Sequence, residues 1–119
     1  MSRADVTALR QQYLRACSRE PWGEAAAVAV LLGREQFAAD QRLWCHASTG
    51  GVHWERVLAE GTWSPTEYFI VATAAGLWTG RRTEIDISRI GYLDDNFYAL
   101  WQAMLTAART GRVPEGWRT

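Results

Sequence analysis

The chain has 119 residues, thirteen basic side chains against thirteen acidic ones, and a 48% apolar fraction. This length favours a single domain and lets it bury roughly two-thirds of its unfolded surface, enough for a core without covalent staples. Balanced charge disfavours a general electrostatic grip on nucleic acid, two cysteines are too few for a disulfide scaffold, and the composition is too apolar for a disordered chain.

From Ser2 to Arg19, the residues Val6, Leu9, Tyr13 and Cys17 recur at three- and four-residue steps. That spacing predicts a helix with one apolar stripe, capped by Ser2 or Asp5. Pro21 ends it by pushing Glu20 out of the helical region. Trp22 to about Ala47 then reads as helix in one or two pieces. Its first half, EAAAVAVLL, is apolar on every side, and its alanines favour helix over strand. Gly33 either divides the stretch or permits close packing. The run Ser48-Thr49-Gly50-Gly51 breaks it, and a short helix follows over Val52 to Glu60.

The clearest local signal is TWSPTEYF. Ser64 is placed as an N-cap, Pro65 at the first helical position, Glu67 to complete a capping box, and Trp63 with Tyr68 as a hydrophobic staple. The helix runs to Thr79 and stops at Gly80. Its apolar circumference predicts a central helix, near residues 65–79, wrapped by the others. In the stretch from Arg81 to Tyr92 we expect an extended approach and a helical turn at Asp86 to Ile90, with Ile87 and Ile90 in the core. The last helix starts near Leu93-Asp94-Asp95. It carries Phe97, Leu100, Trp101, Met104, Leu105 and Ala108 on one face and closes at Gly111. The sum is an all-α fold, a compact irregular bundle of five or six short helices over residues 1–111. An irregular tail, 112–119, follows and stays mobile unless Trp117 docks.

The chemistry-bearing residues are few. Seven tryptophans stand out. Trp44, Trp54, Trp78 and Trp101 fall at helical spacings and are assigned to the core, and Trp63 to its staple. Trp22 and Trp117 lie beside helix breakers, where exposure would make them binding anchors. Every basic residue is Arg. A GC-rich genome accounts for that, although Arg also suits bidentate recognition of carboxylates or phosphates. Arg81-Arg82 is the one adjacent basic pair, and Glu84 and Asp86 follow it.

Cys45, His46 and His53 form a C-H-x6-H pattern, but strong metal signatures need four closely paired ligands. Neighbours on a helix also point about 100° apart, so no metal site and no cofactor are expected. Nothing around Cys17 or Cys45 marks a nucleophile. Asp94 and Asp95 are explained as caps. The chain has no GxGxxG, P-loop, HExxH or GxSxG motif. Val52–Glu60, Gly61 and Ser64–Thr79 have the layout of a helix-turn-helix, yet the second helix lacks Arg, Asn or Gln to read base edges. The longest apolar run, Ala25 to Leu32, is too short to cross a bilayer, and MSRADVTALRQQ lacks the continuous apolar stretch expected of a signal peptide. A cytoplasmic protein is expected.

TWSPTEYFIVATAAGLWTG, followed by IDISRIGYLDDNFYALWQAML, resembles a group of small helical proteins of GC-rich Gram-positive bacteria. The shared features are a Trp-Ser-x-x-Glu opening, a Leu-Trp-x-Gly closing and a Leu-Asp-Asp before an amphipathic helix. They span about Val52 to Arg109. These are caps and core positions, so the resemblance implies a fold and carries no activity. The group often has a carboxylate before the Trp of the short helix, where this chain has His53.

The expectation is a non-catalytic helical protein–protein interaction module, acting as an accessory or regulatory subunit or as a homo-oligomer. Candidate binding residues are Trp22, Trp117, Arg81, Arg82, His46 and His53. The alternative is a small-molecule binder or small enzyme with a pocket lined by Trp44, Trp54, Trp78 or Trp101 and a polar group from His46 or His53. A weaker alternative is a nucleic-acid accessory using Arg81 and Arg82.

Overall fold

The computed structural model describes residues 3–117. Its helices are α1 (Arg3–Arg19), α2 (Gly23–Leu32), α3 (Glu35–Ala38), α4 (Gln41–Trp44), α5 (Trp54–Ala59), α6 (Pro65–Thr79) and α7 (Asp95–Thr110). A two-residue hairpin, β1 (Ala47–Ser48) against β2 (Gly51–Val52), separates α4 from α5, and a 3-10 helix over Ile87–Tyr92 separates α6 from α7. The radius of gyration is 13.0 Å, about that of one close-packed chain this long. The fold is all-α, as the periodicities predict. Ser2, one of the two caps considered for α1, lies outside the described residues, as do Arg118 and Thr119 of the tail. Asp5, the other, falls within the span of α1, and its side chain lies outside what the structure describes.

The centre is not where hydropathy put it. α2, not α6, is the element against which the others assemble: it packs on α1, α6 and α7, and Ala25 to Leu32 are all buried. Both helices are apolar around their circumference, so pattern alone cannot rank them. Side-chain size does. The four alanines of α2 form a thin sheath that lets neighbouring backbones approach. Gly23 carries this furthest, since a Cβ there would stand 2.3 Å from the carbonyl oxygen of Ala108 on α7. α6 still buries Phe69 to Ala75, and α1 sets Val6, Leu9, Tyr13 and Cys17 into the core as its stripe predicts.

The expected long helical stretch from Trp22 to Ala47 is three short helices, broken at Gly33-Arg34 and again at Asp40, which caps α4 by accepting from Arg42 N at 2.9 Å. The short helix expected over Val52–Glu60 is trimmed to Trp54–Ala59, because Val52 pairs with Ala47 in the hairpin. Its N-cap, His53, makes no side-chain capping bond.

The start of α6 is as predicted. Ser64 Oγ accepts from Glu67 N at 3.1 Å, and Ser64 N donates to Glu67 Oε1 at 2.8 Å. Glu67 has a second task. Its other oxygen meets Arg42 Nη2 at 3.2 Å, while Arg42 also forks onto Asp40, donates to the Thr62 carbonyl and lies over the Trp63 ring at 4.0 Å. One guanidinium thus ties α4 to the entry of α6.

The Arg42 hydrogen bonds hold the Asp40 carboxyl below its ordinary range, against a partial burial that pushes the other way. A depressed folded-state value stabilises the fold above the unfolded value of about 3.9, and that contribution disappears as pH falls through the lowered one. We expect Asp40→Asn to be less stable than the parent at neutral pH and the gap to close below about pH 4. Urea denaturation across pH 2–7 measures it; a gap independent of pH would contradict the assignment.

Ile87, which the sequence pattern places in the core, is 64% exposed, while Ile90 is half-buried. The turn itself forms with Asp86 as its cap, accepting from Ser88 N at 3.1 Å. In a single short turn joined to extended chain, sequence spacing does not say which side faces the protein. Beyond Gly111, residues 112–117 form no helix. Val113 is nevertheless buried and Trp117 packs against the core.

Candidate functional site

The structure does not gather the six candidate residues at one place, although His46 and His53 line one hollow. Trp22 is half-exposed but engaged. Its ring lies 5.6 Å from Trp78 and 6.2 Å, edge-on, from Tyr13, and its Nε1 donates to Glu24 Oε2 at 2.6 Å. Burial beneath this cluster pushes the Tyr13 phenol up to about 12. Trp117 lies on another side. Arg34 stacks over its ring at 5.3 Å, and its carbonyl accepts from Arg10 Nη2. Arg81 reaches Glu55 at 3.4 Å with both side chains largely in solvent, so the pair contributes little. Arg82 lines a broad open groove of about 960 Å³ with Trp63, Tyr68, Ile85 and Arg89.

The tryptophans do not build one pocket. Trp54 is buried, and its Nε1 has no partner among the described residues. Trp44 and Trp78 are half-buried. Trp101 donates through Nε1 to Thr73 Oγ1 at 3.1 Å and its ring lies tilted against Phe69 at 5.4 Å. The hollow beside Trp101 includes none of the other three.

What does converge was missed by sequence reasoning. Ile85 and Ile87, from the stretch after α6, and Trp101 and Leu105, from α7, line one hollow of about 320 Å³. Tyr98 stacks on Trp101 at 6.4 Å, and Tyr92, 72% exposed, lies under Arg89. Ile85 also walls the larger groove, so it forms the ridge between two depressions. Among the described residues, five of the six exposed large apolar side chains (Ile85, Ile87, Tyr92, Tyr98 and Leu105) therefore come from residues 85–105. The one sequence signal was the alternation of Ile85 and Ile87 with charges, which marks a half-solvated segment.

His46 and His53 flank the hairpin. His46 follows α4, and its Nε2 lies 3.0 Å from Glu60 Oε1. His53 is exposed, and its backbone N–H donates to the His46 carbonyl at 2.8 Å. The helical angle invoked against joint chelation does not apply, because α4 ends at Trp44 and His46 lies beyond it. One ligand atom each from Cys45, His46 and Glu60 lies within 4.8 Å of the other two. No described helix is long and apolar enough to cross a membrane.

Set against models of known protein families, curated proteins and solved structures, the chain finds no match.

Proposed function

We propose that the chain is a non-catalytic interaction module that docks through the face built from residues 81–105. The observation that carries this is the convergence of Ile85, Ile87, Trp101 and Leu105 on one hollow, with Tyr98 stacked beside them. Exposed aliphatic and aromatic side chains set around a depression are what interface centres are made of, and solvent gives them no other stabilisation.

The occupant assigned to this face is a second copy of the chain. Arg81 lines the hollow, and Arg82, Arg89, Glu84 and Asp86 line the adjoining groove, so both signs are present in near balance. A two-fold interface sets each patch against itself, and a mixed patch can then pair unlike charges across the axis. A partner of one sign would meet repulsion from half of these residues. The chain's zero formal net charge leaves little long-range repulsion to oppose self-association.

Sedimentation equilibrium over micromolar to millimolar concentration tests the assignment. The parent is expected to dimerise, and Ile87→Asp to weaken the dimer by about tenfold or more while leaving helicity unchanged, since Ile87 lies outside the core. A parent that stays monomeric throughout overturns the self-docking assignment. If it also recovers no protein partner from native cytosol at moderate salt, the interaction reading falls with it.

A further inference from the structure

We propose that Cys45, His46 and Glu60 form a binding site for a divalent transition metal of the zinc class, independent of the docking face. The fold assembles it from the two ends of one small unit. Cys45 and His46 leave α4, the hairpin β1–β2 reverses the chain, and α5 delivers Glu60 immediately after its last turn. The His46 carbonyl holds the other end of this unit by accepting from His53 N–H.

The geometry is that of ligands around a common point. Zinc bonds of about 2.0–2.3 Å in a tetrahedral arrangement set neighbouring donor atoms roughly 3.3–3.7 Å apart. Here His46 Nε2 and Glu60 Oε1 are 3.0 Å apart, and the three donor atoms lie within 4.8 Å of one another. Side-chain adjustments of a few tenths of an ångström to about one ångström bring both limits to that spacing. The donor set, one sulfur, one imidazole and one carboxylate, suits zinc or cobalt and is too soft for calcium or magnesium.

The site has an entrance. Cys45 and His46 line an open hollow of about 350 Å³ whose wall also includes His53 and Arg56. The His46 side chain is 18% exposed and that of Glu60 35%, partly enclosed but within reach of solvent. Three protein ligands leave a fourth position facing the hollow, for water or for His53. With the metal bound, the thiolate and carboxylate bring two negative charges, which outweigh the single positive charge of Arg56.

Binding requires the Cys45 thiol to lose its proton, so Co²⁺ serves as the probe because its thiolate charge-transfer absorption reports that bond directly. Chelator-stripped, reduced full-length protein is titrated with Co²⁺ and then with Zn²⁺. The expected result is a near-ultraviolet thiolate-to-cobalt band that saturates at one equivalent and is displaced by Zn²⁺. The band is expected to be absent in Cys45→Ser, and affinity to fall by about tenfold or more in His46→Gln and Glu60→Gln. Far-ultraviolet circular dichroism accompanies each variant, and Cys17→Ser is the control that should keep the band. The proposal is overturned if the parent shows no band at millimolar Co²⁺, if the band survives Cys45→Ser, or if folded His46→Gln and Glu60→Gln both bind as the parent does.

Discussion

Replacing Gly23 by alanine is expected to cost the fold about 3 kcal/mol, although it adds only one methyl group. The added carbon would lie 2.3 Å from the Ala108 carbonyl oxygen, and a backbone atom inside α7 cannot swing aside as a side chain can. Either α2 or α7 must shift, and α2 is the helix on which α1, α6 and α7 all pack. Gly61→Ala is the matched control. A Cβ there meets nothing within 4 Å, so its effect should stay within about half a kcal/mol. Urea denaturation of the two variants with the slope held in view tests the pair. Equal stabilities would show that α2 and α7 do not approach as closely as described.

Phe37→Ala is expected to remove about 3–5 kcal/mol. Its ring is fully buried, 6.4 Å from Trp63 and 6.1 Å from Phe97, where it joins α3 to the entry of α6 and to the first turn of α7. The four residues of α3 are far too few to hold a helix by backbone hydrogen bonds alone. Its position therefore depends on this anchor. The readouts are chemical denaturation and the fluorescence of Trp63, which should shift toward that of a solvated indole as its neighbour is lost. A loss under about 1.5 kcal/mol would mean that the surrounding side chains collapse into the space.

These two positions differ in how far the sequence reveals them. Phe37 looks like a core residue in any helical reading. Nothing in GEAAAVAVLL says that Gly23 touches α7, because that contact joins residues 85 positions apart. The same division runs through the fold. Ser64, Pro65 and Glu67 specify their helix start through bonds within four residues, so the pattern was legible. The apolar stripe of α1 and the Asp94 cap of α7 are legible for the same reason.

The hairpin at Ala47–Val52 was not legible. Two residues per strand carry no alternation to read, and pairing is decided by the helices on either side. The apolar hollow lined by Ile85, Ile87, Trp101 and Leu105 emerges only when the stretch after α6 is laid beside α7. The Cys45–His46–His53 pattern is discounted in the sequence on a helical geometry that ends at Trp44. Glu60, fourteen positions from His46, had no reason to be counted with it until the reversal was seen.

Arg10 shows what this architecture implies for the order of folding. Its guanidinium is almost wholly enclosed, donating through Nε to the Ala29 carbonyl at 3.2 Å and through Nη2 to the carbonyl of Trp117, 107 positions away. Burial lowers the Arg10 pKa, so the environment opposes its charge and both acceptors matter. Closing a loop of that length costs on the order of 4 kcal/mol of chain entropy. The second acceptor is therefore among the last contacts to form, long after α1 and α2 can meet. During synthesis the growing chain must hold a charged group at the edge of its nascent core, wet and incompletely partnered, until residues 112–117 arrive to seal it. That segment, irregular as it is, supplies the carbonyl that the buried guanidinium needs.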